Sequence, residues 1–509
     1  KPFRYSARTW ELSRRKSVSP HDSTGANLIV HVKNHKVMRV LPFENDDVNE
    51  CWIADRDRFS YEALDSAERL TKPMLKQGGQ WVEVDWQTAL EYIANGVQCI
   101  TKENGAGALG ALVSPHSTVE ELYLAGALMR GLGSPNLDYR LRHGDLRKPQ
   151  GVRWLGRSVA SLSQLQSVLV VGSNLRKDHP LFAQRIRQAA RKGCTVLSID
   201  NAVRDWAMPV AQTLVANHGA WLQALADVAA ALAQEKGVSA PVAQGRADEP
   251  TARAIAQALL RGEHKAVLLG NAAAHHAQAS ELLALAGWIA QQAEATVGYL
   301  TEAANTVGAQ WMQALPGEGG MDAAQMLQGK LKGLFLLNNE PEFDSAAGAQ
   351  AVAALGKVEM VVTLSPFKTN LEFSDVLLPI APFTETSGSF VNAEGRLQSF
   401  YAVVRPLGET RPGWKVLRVL GNLLGLQGFD FETSQDVLGR ATGAAVGSVS
   451  HVPQELLSNA VADMPQSVQV VDVPAPAVAS LYQLDGLVRR ATSLQLTTDA
   501  RLAREGVAA

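Results

Sequence analysis

The clearest pattern lies in the middle of the chain. Residues 167–201 read SVLVVGSNLRKDHPLFAQRIRQAARKGCTVLSIDN: an apolar run, a glycine-containing turn, an amphipathic stretch, a glycine stop and a second apolar run ending in Asp200. This pattern predicts strand, helix and strand, the βαβ unit of a parallel sheet. Residues 265–292 and 332–367 repeat the theme of buried strand, short polar turn and helix. Runs apolar throughout, rather than alternating, predict a sheet covered on both faces. Residues 24–43, TGANLIVHVKNHKVMRVLPF, have another texture: two β-prone segments flank a polar turn at Lys33, Asn34 and His35, a hairpin pattern. A charged loop and a short strand then lead into a helix opening near Asp85. The expected class is α/β, with a small β-rich module giving way near residue 65 to parallel-sheet, Rossmann-like domains.

Composition narrows the function classes. A chain of 509 residues is long enough for two or more domains and a large core. Its 48 Lys and Arg nearly balance 50 Asp and Glu, so no basic field points to nucleic acid. The Ala-rich run 222–234 is too short and too interrupted by polar residues to span a bilayer, so membrane association is expected through another protein. Cys51, Cys99 and Cys194 are far apart and form no C-x-x-C pair, which fits a reducing compartment. The first residue is lysine, and Lys1 is read as the cut edge of a longer protein.

Candidate chemistry concentrates in residues 373–400, FSDVLLPIAPFTETSGSFVNAEGRLQSF. Its hydroxyls, glycines and Arg396 suit a loop around an anionic cofactor. On local evidence the favoured reading is a glycine-containing turn between two strands, GSFVN and RLQSFY. The turn in VVGSNLRKDHP has one glycine where a dinucleotide fingerprint needs three, which argues against an NAD site there. His275 and His276 follow a strand, but adjacent helical residues point about 100° apart and do not chelate together. No nucleophile-elbow motif supports a Ser-His-Asp triad.

Several long stretches carry a family resemblance: FRYSARTWELSRRKSVSPHDSTGANLIV, VMRVLPFENDDVNECWIADRDRFSYEAL, RLTKPMLKQGGQWVEVDWQTAL, SPNLDYRLRHGDLR, SDVLLPIAPFTETSGSFVNAEGRLQ and LYQLDGLVRRATSL. In this order they resemble the family of the large iron-sulfur subunit of NADH-quinone oxidoreductase, respiratory complex I. The resemblance implies a molybdopterin-oxidoreductase-like α/β fold. It divides the chain into a β-rich module at 8–65, equivalent to a 4Fe-4S domain with its ligands missing, an α/β body at 66–400 and a C-terminal extension at 401–509. It further implies electron transfer from NADH through flavin and iron-sulfur clusters to quinone, with this segment a non-catalytic scaffold in the peripheral arm. The expected partners are other peripheral-arm subunits, including the flavin-bearing NADH-binding subunit, with no nucleic acid and no direct membrane insertion. The expected location is the cytoplasmic face of a bacterial inner membrane, or the matrix side in an organelle.

The same resemblance bears on cofactors. Relatives that hold a cluster in this module use C-x-x-C-x-x-x-C and a later fourth cysteine, because a [4Fe–4S] cluster takes four thiolates. Here the matching stretch is Ser17 to Gly25, the fourth position is Ala54, and Cys51 stands alone. His21 and Asp22 are expected to be solvated on a polar loop. Catalytic relatives place a metal ligand near YRLRHGDLRKPQG, where Arg142, His143 and Gly144 offer no thiolate. Asp145 is the one candidate oxygen ligand, and its flanking Arg142 and Arg147 suit a local charge network instead. Arg396 and Glu394 are expected to satisfy buried backbone groups where a ligand once lay. No catalytic, cofactor-binding or metal residue is assigned, no cofactor is expected on this segment, and the 2Fe-2S and 4Fe-4S clusters are expected in a region upstream of Lys1. The alternative enzyme reading is a molybdenum-dependent oxidoreductase of the formate dehydrogenase type. A third class is a free-standing protein holding a small anion in the old cofactor cleft.

Overall fold

The computed structural model describes residues 3–4, 6–445, 447–461 and 463–505, so Lys1 lies outside the described residues. Each apolar run noted above becomes a buried strand. Ser167–Val171, Thr195–Asp200 and Lys265–Leu269 join Gln212–Val215 and Thr296–Tyr299 in a five-stranded, wholly parallel sheet. Its spatial order is 212, 195, 167, 265, 296, by first residue. Side chains alternate across it. Leu169, Val171 and Leu197 pack against Trp221 and the helix Trp221–Lys236, while Val168, Val170 and Val196 pack against Phe182 and Ile186 of the helix Pro180–Arg191.

The second sheet has seven strands. Leu137–Asp138, Leu109–Val113, Gly333–Leu337, Met360–Ser365 and Val376–Pro379 lie parallel in that spatial order, and Met74–Gln77 and Gln80–Glu83 extend the far edge antiparallel. The chain leaves this sheet after Asp138, builds the entire five-stranded domain, and returns at Gly333. One domain is thus inserted within the other.

The helix Trp86–Asn104 shows how local sequence builds the larger domain. Asp85 accepts the Thr88 N–H at 2.7 Å as its N-cap, and Gly105, at φ 81°, ends it. Its buried residues Trp86, Ala89, Leu90, Ile93, Val97 and Ile100 recur every three or four positions and face Leu109 and Met360 of the sheet. Burying each large member contributes about 1.5–3 kcal/mol.

The N-terminal module is a three-stranded antiparallel sheet of Ser13–Val18, Asn27–Lys33 and Lys36–Pro42. The hairpin turns at Asn34 and His35, both at positive φ, a conformation Asn tolerates well. The C-terminal residues do not stand apart. Gly413–Leu423 packs on the helix Val119–Leu132, and Tyr482, Val488, Ala491 and Leu494 close over Phe59 of the N-terminal module. No helix among the described residues is long and apolar enough to cross a membrane.

Candidate functional site

Both parallel sheets aim their carboxyl ends at one place. Ser114–His116 follow the strand ending at Val113, Tyr139–His143 follow Asp138, and Thr301 and Glu302 follow Tyr299. These residues, with His275, Arg153 and Arg147, line a cavity of about 360 Å³. Open α/β sheets place ligands in this position, beyond the strand ends where the order reverses.

The charges in its wall are largely paired. Arg142 reaches Glu302 and Asp344, each at 3.1 Å. Burial opposes ionisation of Glu302, but the Arg142 guanidinium foremost outweighs it and holds the carboxyl below its ordinary value. Asp145 is bound by Arg147 at 2.6 Å and by the Ser280 N–H at 2.9 Å; against the upward push of burial, these bonds bring it down to about 2. The expected pairing of Asp145 is therefore half seen: Arg147 engages it, whereas Arg142 turns to Glu302 and Asp344. His143 and His275 have ring centroids 4.8 Å apart, and burial lowers both, so both imidazoles are neutral at pH 7. His275 Nδ1 lies 2.7 Å from the Ala477 carbonyl, while His276 meets the His218 carbonyl and stacks on Trp221. The two adjacent histidines thus serve separate environments.

The polar loop of residues 384–396 is occupied by the protein itself. Gly388–Val391 and Leu397–Phe400 pair as an antiparallel hairpin. Asn392 Oδ1 accepts the Glu394 and Arg396 N–H groups, and its Nδ2 donates to the Thr24 carbonyl. Glu394 accepts the Val159 N–H at 2.7 Å and Arg396 Nε at 2.6 Å. Among the described residues the Arg396 guanidinium otherwise reaches Asp47 alone, at 3.3 Å, so Glu394, not the guanidinium, holds a buried backbone group. Glu385 forms a two-pronged pair with buried Arg69, at 2.8 and 2.9 Å. Glu120 accepts both the N–H and the hydroxyl of Ser389. The space beside Thr386 and Phe390 is about 50 Å³, and a more open one beside Arg396 is about 400 Å³.

The N-terminal module departs from expectation. His21 and Asp22 are wholly buried, not solvated. His21 Nδ1 lies 2.6 Å from Asp485 and its Nε2 lies 2.7 Å from the Ser60 hydroxyl, while Asp22 pairs with buried Arg56 at 3.0 Å. The C-terminal helices bring Asp485 over the loop, and a partner 464 residues away leaves no local signal. Asp57 lies beside them with neither oxygen hydrogen-bonded among the described residues; burial and the Asp22 charge push it up to about 6.

Comparison with known proteins assigns this architecture. The profile of Molybdopterin oxidoreductase matches residues 69–423, well over half of the chain. The chain belongs to the molybdopterin oxidoreductase family. Acetylene hydratase from Pelobacter acetylenicus shares its fold, with a TM-score of 0.61 and 14% identity over 85% of this chain and 72% of that one. An NADH-quinone oxidoreductase subunit of Rickettsia felis is 34% identical over 196 residues, 38% of this chain and 28% of that protein. The NADPH-Fe(3+) oxidoreductase subunit alpha of Geobacter sulfurreducens is 28% identical over 493 residues, 83% of this chain and 57% of that protein. The mitochondrial NADH-ubiquinone oxidoreductase 78 kDa subunit of Candida albicans is 27% identical over 441 residues, 83% of this chain and 54% of that protein. The chain spans about half the length or less of these relatives. The family places the chain in an oxidoreductase, electron-transfer context.

A second profile corrects the expectation on cofactors. The NADH-ubiquinone oxidoreductase NDSU1/NuoG-like, 4Fe-4S domain matches residues 12–62. A 4Fe-4S-type domain therefore lies within this chain and is not confined to a region upstream of Lys1. That expectation rested on the family resemblance and on the cysteines missing from residues 17–54, whereas the match spans the module as a whole. Its donor set is another matter. Residues 12–62 hold one cysteine, Cys51, which is exposed, whereas a [4Fe–4S] cluster takes four thiolates. A molybdopterin fits no better. The Glu394, Asn392 and Glu385 side chains are bonded to protein, and Asp145 is held by Arg147 and Ser280, so neither the loop carboxylates nor Asp145 is left to hold the group. No group of three or more His, Cys, Asp or Glu among the described residues is arranged to hold a metal ion.

Sequence reading missed Tyr139, Arg153 and Tyr299. Tyr139 and Arg153 lie in the connection after Asp138, Tyr299 ends the strand Thr296–Tyr299 of the other sheet, and the fold brings the three to one cavity.

Proposed function

We propose that the chain is the molybdopterin-oxidoreductase-like part of a complex I subunit, supporting NADH:quinone electron transfer as a non-catalytic scaffold of the peripheral arm. The observation that carries the complex I assignment is the match of residues 12–62 to a domain type of NADH-ubiquinone oxidoreductase, supported by similarity to the Rickettsia and Candida subunits. The scaffold role is supported by the loop of residues 384–396, where Asn392, Glu394 and Arg396 are bonded to one another and to the backbone. On this reading the divisions at 8–65, 66–400 and 401–509 stand, and no residue of the chain is assigned to catalysis or metal binding. The partners are peripheral-arm subunits, including the one carrying flavin, on the cytoplasmic or matrix side of the membrane.

Similarity to the NADPH-Fe(3+) oxidoreductase subunit alpha over the same 83% of this chain supports a second reading, a subunit of an NADPH-Fe(3+) oxidoreductase. Native electrophoresis of detergent-solubilised membranes from the source cell separates the two. The chain should co-migrate with NADH:quinone reductase activity. Its migration with an NADPH-dependent iron-reducing activity, apart from quinone reduction, would remove the complex I assignment.

A further inference from the structure

The cavity at the strand ends contains polar groups that the protein leaves without partners. Tyr139 is 5% exposed and Tyr299 8%, yet neither hydroxyl has a hydrogen-bond partner among the described residues. Arg153 donates from Nη1 to the Ser458 and Ala460 carbonyls at 3.0 and 2.6 Å, and has no carboxylate partner among the described residues. It lies near both phenols. Burial raises each phenol, Tyr299 to about 12, and the Arg153 charge opposes that rise in both. Asp145 also bears on Tyr299, but Arg147 compensates its charge at 2.6 Å. Farther along the lining, His143 Nδ1, His116 Nε2 and Thr301 Oγ1 are buried without hydrogen bonds. Buried polar atoms rarely remain unpaired, and these belong to residues that line the same cavity as the two phenols.

We propose that this cavity binds a small organic carboxylate with a flat body, its carboxylate held by Arg153 and the Tyr139 and Tyr299 hydroxyls, and its body lying along the His143–His275 pair. Charge selects a monoanion. Arg140, Arg142 and Arg147 are already committed to Asp138, Glu302, Asp344, Asp145 and Glu281, and Lys148 and Asp463 are exposed and of opposite charge, which leaves Arg153 as the cavity guanidinium without a carboxylate partner among the described residues. A guanidinium with two phenol donors matches the oxygens of a carboxylate. Beyond them, the neutral imidazoles and the side chains of Leu141, Leu283 and Met464 suit an uncharged planar body. The volume of about 360 Å³ lies within the range of small-molecule sites. This assignment is independent of the complex to which the chain belongs.

Titration calorimetry on the full chain tests it, with benzoate as probe and benzamide as its neutral counterpart. Benzoate should bind saturably at one site, and benzamide at least about tenfold more weakly, the ratio set by a charge-assisted hydrogen bond. Arg153→Met should weaken benzoate by about tenfold or more, and the double variant Tyr139→Phe, Tyr299→Phe by severalfold. Inorganic phosphate at equal concentration should not displace it. Absence of saturation at millimolar benzoate, equal binding of benzamide, displacement by phosphate, or unchanged affinity in Arg153→Met would each overturn the assignment. Should Arg153→Met not fold, the tyrosine double variant decides alone, and unchanged affinity there would overturn it.

Discussion

Two groups of polar side chains lie inside this fold, and they are finished in opposite ways. Around residues 384–396 the carboxylates and amides are bonded to protein: Glu394 to Val159 and Arg396, Glu385 to Arg69, Glu120 to Ser389. In the cavity at the strand ends, Tyr139, Tyr299, His143 and Thr301 have donors or acceptors without partners among the described residues, as does the Thr384 hydroxyl alone in the first region. The same buried polarity therefore has two uses. Where partners are supplied from within, removing one breaks the fold; where they are not, removing one alters what the cavity holds and leaves the fold nearly untouched.

The largest break should come at Arg69. Arg69→Met strands the buried Glu385 carboxylate, which then keeps only the Leu407 N–H, and should cost about 3–5 kcal/mol in chemical denaturation. A loss below about 1 kcal/mol would show that the closed region is not stabilised by its pairing. Glu394→Ala leaves the Val159 N–H and one face of Arg396 unpaired and should cost about 1–3 kcal/mol. Tyr139→Phe in the open region should shift the melting temperature far less, and a comparable shift would erase the contrast.

A pH series sharpens the same comparison. Burial lifts Glu120 from 4.5 to about 7, so near neutrality the folded chain holds a proton that the unfolded chain has released. This contribution is full below pH 4.5 and is lost as pH rises through 7. Glu120→Gln cannot titrate, so its stability relative to the parent should improve by about 2 kcal/mol between about pH 5 and pH 8. Parallel pH profiles would refute the claim.

The smallest effect belongs to Asp145. Its pair with exposed Arg147 is screened by water, and Asp145→Asn should cost at most about 1 kcal/mol. Because its carboxyl is lowered to about 2, that contribution is present above the ordinary value of 3.8 and is lost as pH falls through 2. The variant should differ from the parent at pH 6 and converge with it in strong acid. In an assembled complex its electron-transfer turnover should stay within a few-fold, whereas complete loss with assembly intact would return Asp145 to a catalytic role.

Local order was legible in the sequence wherever contacts are local. The hairpin through Asn34, the Asp85 cap and the βαβ unit at 167–201 each depend on neighbours within a few tens of residues, and each is present. The burial of His21 was not legible, because its partner Asp485 arrives from the far end of the chain. The role of Arg396 was misjudged for a related reason. A guanidinium advertises hydrogen bonding, but only the fold showed that Glu394 faces Val159 while Arg396 leans outward to Asp47. The Arg153, Tyr139 and Tyr299 group had no signature at all, since its members share neither spacing nor motif.

The nesting of one domain inside the other sets a timetable for synthesis. The strand Leu109–Val113 is buried on every residue, yet its neighbour Gly333–Leu337 is translated roughly 200 residues later, about 10–40 s at common elongation rates of about 5–20 residues per second. Throughout that interval an apolar strand has one edge unpaired, while the inserted domain is already able to close its own five-stranded sheet. The nascent chain thus carries a finished domain hanging from an unfinished one, and the ribosome-bound stage, more than the folded state, is where this protein calls for a chaperone.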